Sequence, residues 1–195
     1  MVMDKRKIIL ASGSPRRREL LGELLGGYDA ELIVDPVSDV DESYPPSTPA
    51  LDVAPMLARR KLDAYMDRRH PDSSVSVVSA DTVVIIDGEV LGKPADPDEA
   101  RRMLHRLSGN THLVVTGVAV ARDNKIDCRR QVTEVTFAPL TDHEIDLYID
   151  RYRPFDKAGS YGIQEWIGQI GIERINGDYY NVVGLPLRLL HTMLS

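Results

Sequence analysis

Arg16, Arg17 and Arg18 stand in the opening turn of a segment that reads as a helix. Ser14-Pro15 supplies a hydroxyl N-cap and a proline at the first helical position, Leu20, Leu21, Leu24 and Leu25 recur at helical spacing, and Gly26-Gly27 ends the run. The start of a helix is the positive end of its macrodipole, where acidic side chains are favoured and cations are not. A bound anion reverses that balance, because helix-start N–H groups and guanidinium forks both suit phosphate oxygens. The strand–turn–helix from Ser12 to Arg17 is thus a candidate phosphate site; the other reading is three arginines pointing into water. The Gly-x-x-x-x-Gly-Lys-Ser/Thr order of a Walker A loop is absent.

A second group is acidic. Asp39, Asp41 and Glu42 lie in a loop, where carboxylates are commonly solvated, but Asp81 stands among valines and isoleucines. A carboxylate buried there needs a partner. It is a turn former, a member of a structural ion pair, a general base, or an oxygen ligand for Mg2+ or Mn2+. A third group is cationic: Lys61 on the apolar stripe of a helix, four residues after Leu57, then Lys93 in Leu91-Gly92-Lys93-Pro94 and Lys157 in Asp156-Lys157-Ala158-Gly159. Each lysine alone reads as a solvent-facing side chain; together with the arginines and a metal they could surround a triphosphate. His105 and His112 lack useful spacing and take no role, and Tyr179, Tyr180 and Trp166 read as packing residues.

The elements that must position these groups alternate between apolar runs and helical patterns, which predicts a mixed α/β fold. Strands are expected at 7–11, 30–34, 75–86, 112–121 and 125–137. Helices start at Ser14, at Asp96 with a capping box to Glu99, and at Thr141; another, with Met56, Leu57 and Ala64 on its buried side, contains Pro55, which must kink or restart it. Two last strands are expected around the Asn176-Gly177 turn, and Pro186 opens a C-terminal helix. The economical architecture is one domain over 1–195, a twisted sheet flanked by helices in two lobes about a central cleft. The 195 residues carry a net charge of −6, with 43% apolar and 28% charged residues, so no global basic field draws the chain to nucleic acid or anionic lipid. The single cysteine, Cys128, excludes an internal disulfide and reads as a packed bystander. No apolar run reaches membrane-spanning length, and Lys5–Lys7 before 8–11 is too short for a secretory signal, so a cytoplasmic location is expected.

The blocks LASGSPRRREL (10–20), VDES (40–43), LARRK (57–61), SADTVV (79–84), LGKP (91–94), LSGNTHLVVTGV (107–118), DKAGSYGIQ (156–164) and NGDYYNVVGLPL (176–187) resemble the Maf family, in the family's order and over nearly the whole chain. These are nucleoside triphosphate pyrophosphatases, also described as septum-formation inhibitors. The resemblance implies a Maf/ITPase-like α/β fold and metal-dependent hydrolysis of a nucleoside triphosphate to the monophosphate and pyrophosphate. By motif, Ser12, Arg16, Arg17, Lys61 and Lys93 would bind phosphates, and Glu42 and Asp81 would hold Mg2+ or Mn2+, with Asp81 also the proton acceptor. The Ala80-Asp81-Thr82 run resembles the branch acting on dTTP and UTP, in which Arg16, Thr82 and Gln164 would set selectivity. Glu165-Trp166 departs from the small residue common after that glutamine. The family suggests a homodimer, and a role in nucleotide-pool cleansing or in division arrest. Two readings from other classes compete: a regulator binding nucleic acid or a division partner through Arg16–Arg18, and a sensor that holds a nucleotide without hydrolysing it. Net acidity opposes the first.

Overall fold

The computed structural model describes residues 6–195. The apolar run after the basic start forms strand β1 (Arg6–Leu10), helix α1 (Pro15–Leu25) follows with Ser14 as its N-cap, and β2 (Ala30–Val34) returns parallel to β1. Helix α2 (Ala50–Arg69) leads to β3 (Ser76–Ile86), which pairs parallel to β1 on its other side. Asp87 and Gly88, both at positive φ, turn β3 into the short antiparallel β4 (Glu89–Leu91). Then come α3 (Pro97–Leu107), β5 (Thr111–Arg122), β6 (Lys125–Phe137), α4 (Asp142–Tyr152), a 3-10 turn (Ala158–Ser160), α5 (Trp166–Gly171), β7 (Ile172–Asn176), α6 (Tyr179–Val183) and α7 (Leu187–Leu194). The sheet is mixed and seven-stranded, in the order β2-β1-β3-β5-β6-β7 with β4 beside β3.

The chain divides into two compact units: the described residues up to Asp81 with Thr116–Gln131 and Gly184–Ser195, and Thr82–Val115 with Val132–Val183. In the first, Ile9, Ala58, Leu62, Tyr65, Val77, Ala119 and Ala121 form a buried cluster under α2. In the second, Met103, Leu104 and Leu107 of α3 and Ile145, Tyr148 and Ile149 of α4 pack with Val84, Val114, Val135 and Phe137 of the sheet. The α4 start is a full capping box, Thr141 and Glu144 each bonding the other's backbone N–H.

Of the two outcomes expected of Pro55, a restart is excluded, because α2 runs through it as one helix. Three expectations are corrected. The second strand after Asn176-Gly177 is a helix: Asp178 Oδ1 accepts from the Tyr180 N–H at 2.8 Å, and the buried Asn181 side chain donates to Val114 O (3.0 Å) and Thr133 Oγ1 (2.9 Å). Cys128 is exposed rather than packed, its thiol donating to Pro55 O at 3.4 Å. Tyr179 and Tyr180 are exposed too, 42% and 44%, against the packing role expected of them; they meet edge-on.

Candidate active site

Strand polarity builds the first unit's cluster. β2 and β3 flank β1 on opposite sides, all three parallel, so their carboxyl ends lie at the point where the chain's winding reverses, the usual ligand position in open α/β sheets. From the end of β1 comes the Ser12 turn and α1; from the end of β2 comes the loop that carries Glu42. Leu10 is opposite Val78, and Ala11 N–H donates to Val78 O at 2.8 Å, so Asp81 falls beyond the end of β1.

Lys61, from the buried side of α2, joins the two acids. Its Nζ is 2.5 Å from Asp81 Oδ1 and 2.6 Å from Glu42 Oε1. Three segments far apart in sequence thus converge on one ammonium. Asp81 is 9% exposed, and the bond from Lys61 falls on one of its two oxygens, Oδ1. The ion pair answers the cost of burying a carboxylate in an apolar strand.

Arg17 crosses the same region. Its Nε donates to Gly184 O at 2.9 Å, and its Nη1 donates to Ala80 O at 2.8 Å and to Ser12 Oγ at 3.4 Å. The first turn of α1 holds no acidic residue, and carbonyl oxygens answer part of its crowded positive charge. Burial draws the Arg17 guanidinium below its ordinary pKa; the Asp81 charge opposes this, Arg16 adds to it, and Glu42 opposes it. Arg16 is half-buried and Arg18 exposed. Asp41 lies beside the cluster rather than in it: its carboxylate accepts from the Ser43 N–H and hydroxyl, and Arg60 holds the Asp41 and Ser43 carbonyls.

The structure therefore brings together Ser12, Arg17, Glu42, Lys61 and Asp81. Thr82, Lys93 and Gln164 belong to the second unit. Thr82 follows Asp81 along β3 and is half-buried, Lys93 is exposed after β4, and Gln164 is exposed before α5. Lys157 is buried and pairs with Asp156 (2.7 Å) and Glu165 (3.2 Å) within that unit, so it is not a cation awaiting an anion. Sequence reasoning also missed the acceptors that hold Arg17. The carbonyls of Ala80 and Gly184 carry no side-chain signal at all. Among the described residues no three His, Cys, Asp or Glu side chains cluster as a metal site, and no helix is long and apolar enough to cross a membrane.

Comparison with known proteins agrees with this architecture. The fold is similar to that of a HAM1 protein from Coxiella burnetii, with a TM-score of 0.51 at 17% identity over 97% of this chain and 98% of that one. This places the chain among mixed α/β proteins of that fold. The family model for Maf-like proteins matches residues 7–195, and the chain belongs to the Maf family. It is 50% identical over 193 residues to a dTTP/UTP pyrophosphatase of Porphyromonas gingivalis strain W83, covering 99% of this chain and 95% of that protein. Likewise it is 49% identical to a dTTP/UTP pyrophosphatase of Phocaeicola vulgatus (99% and 97% covered) and 43% identical to one of Flavobacterium psychrophilum (98% and 94%).

Proposed function

We propose that this protein is a nucleoside triphosphate pyrophosphatase that hydrolyses dTTP and UTP to the monophosphate and pyrophosphate. The observation that carries the reading is the convergence of Glu42 and Asp81 on Lys61 beside the arginine-bearing turn. Near-full-length similarity to proteins of that name supports the substrate class.

Water attacks the α-phosphorus, the bond from that phosphorus to the α–β bridging oxygen breaks, and pyrophosphate leaves with the bond's electron pair. Asp81 takes the proton from the attacking water at Oδ2, while Oδ1 stays held by Lys61. Arg16, Arg17, Ser12 and Lys61 offset charge on the phosphates, and Lys93 adds to them. Two carboxylates gathered at one cationic point fit a share in a hard divalent ion's ligand set. Glu42 and Asp81 would hold Mg2+ or Mn2+, with other ligands from water and phosphate oxygens. When bound, that cation neutralises phosphate charge and polarises the phosphoryl group. Thr82, Gln164 and Arg16 select the base. The Gln164 amide offers one donor and one acceptor edge, matching the carbonyl and N–H of uracil or thymine. We assign the reaction to the cytoplasm, whose reducing conditions suit the lone exposed Cys128, and to a homodimer.

Pyrophosphate release from a panel of nucleoside triphosphates, with Mg2+ or Mn2+ and again with chelator, tests this. dTTP and UTP should lead the ranking, and chelation should abolish release. Nucleotide binding with no pyrophosphate released would replace the enzyme with a sensor. Asp81→Asn should lower turnover by about a hundredfold or more while the thermal melt keeps its cooperativity, the loss expected of a general base. Near-normal turnover removes Asp81 from the mechanism.

A further inference from the structure

Gln164 stands at the third position of a tight turn, closed where the Glu165 N–H donates to Gly162 O at 3.0 Å. The Gln164 side chain is exposed and makes no hydrogen bond among the described residues, so its direction depends on how the turn is held. One side chain holds that turn. Glu165 Oε2 accepts from the Tyr148 hydroxyl, and Glu165 Oε1 accepts from Lys157 Nζ at 3.2 Å. The Tyr148 oxygen in turn accepts from the Gly162 N–H at 3.0 Å. Both ends of the turn are therefore tied to one buried phenol, which α4 supplies from the core.

The fit leaves no slack. A Cβ on Gly162 would stand 2.9 Å from the Glu165 carboxyl carbon, and one on Gly168 would collide with Ile163 O. Lys157 is 8% exposed and Tyr148 fully buried, so the Glu165 carboxylate, its side chain 20% exposed, is held by two partners that are themselves withdrawn from water. Buried ion pairs contribute little to stability against well-packed apolar residues; their best-attested use is fixing one arrangement over others. The residue arranged here carries the glutamine.

We infer that Glu165 is a positioning residue for base selection: it orients the Gln164 amide through the Tyr148–Gly162–Lys157 network and does not itself touch substrate. This rests on the base-reading assignment of Gln164 above and deepens it. The departure at Glu165 is then a device for holding the glutamine in this chain.

The test measures kcat and KM for UTP, dTTP, CTP and ATP in Gln164→Ala, Glu165→Ala, Glu165→Gln and the double variant Gln164→Ala/Glu165→Ala. Glu165→Gln retains an acceptor for Tyr148 and guards against a misfolded alanine variant; melts accompany each protein. Glu165→Ala should raise KM for UTP and dTTP about tenfold, with kcat within about threefold and ATP hydrolysis little changed, the scale of a lost hydrogen bond at a reading site. Glu165→Gln should show the same pattern more weakly. The double variant should discriminate no worse than Gln164→Ala alone. Equal losses on all four nucleotides, or additive losses in the double variant, overturn the inference. If Gln164→Ala alters the ranking and neither Glu165 variant does, only Glu165 loses its role. If Gln164→Ala leaves the ranking intact, the base-reading assignment fails and this inference with it.

Discussion

Two cations in the first unit look alike in sequence and are used differently. Lys61 meets carboxylates, whereas Arg17 meets carbonyls on both Nε and Nη1. Arg17 therefore ties the Gly184 backbone to Ala80, the residue before the proposed base. Arg17→Lys keeps the charge and loses the fork, since an ammonium cannot reproduce the guanidinium's fixed geometry. It should lower kcat about tenfold or more, because a base displaced by even about an ångström loses its alignment. Steady-state kinetics decides this: a rise in KM with kcat intact would leave Arg17 a phosphate contact alone. The residue types of this cluster were legible in the sequence, as cations at a helix start and an acid in an apolar strand. Their pairings were not. Lys61 and Asp81 are twenty positions apart and Arg17 and Gly184 far more, so the pairs form only once α2, β3 and the chain before α7 fold together in the first unit.

At the scale of elements, α2 shows how a local rule yields to a distant partner. Pro55 has no N–H for the carbonyl of Leu51, one turn earlier, and a proline inside a helix ordinarily breaks or kinks it. Arg130 of β6 supplies the missing donor, its Nη1 reaching Leu51 O at 3.1 Å while also pairing with Asp52. On β5, a Cβ at Gly117 would collide with Pro55 Cα, so the helix backbone approaches the strand where no side chain intervenes. Arg130→Met should cost about 1 kcal/mol, the worth of one such hydrogen bond. In a Pro55→Ala background, where the introduced alanine has its own N–H for the Leu51 carbonyl, the cost should shrink. Urea melts of the four proteins give the cycle, and equal costs in both backgrounds would refute the compensation. The β7–α6 segment is the opposite case. Tyr179-Tyr180-Asn181-Val182-Val183 reads as a strand by composition, yet Asp178 starts a helical turn, and Asn181 finds its partners on Val114 and Thr133. Hydrophobic runs announce strands such as β3 and β5, whose residues are nearly all buried; a helix set by buried amide bonds leaves no periodic trace.

For the whole molecule, β3, β5 and β6 each contribute residues to both units, so neither core is built from one uninterrupted stretch of chain. A titrating group buried in either core then bears on the stability of the protein. His112 of β5 is such a group, 2% exposed between Phe137 and Tyr161, with Nε2 2.8 Å from the Tyr161 hydroxyl and Nδ1 lacking any partner among the described residues. Burial pulls its pKa down to about 4 from an ordinary 6.5. Between those values the unfolded chain binds a proton that the native state refuses. The contribution is thus whole above about pH 6.5 and drains away as the pH falls toward 4. Between pH 7 and pH 5 the loss should be about 2 kcal/mol. Trp166, the single tryptophan, lies against the same core as His112, so its fluorescence reports this unfolding directly. His112→Gln keeps a donor and an acceptor but cannot titrate, and its urea midpoint should be nearly flat across that interval where the parent protein's falls. If the two proteins lose stability in parallel, the acid sensitivity resides in other groups and His112 is a neutral packing residue at every pH tested.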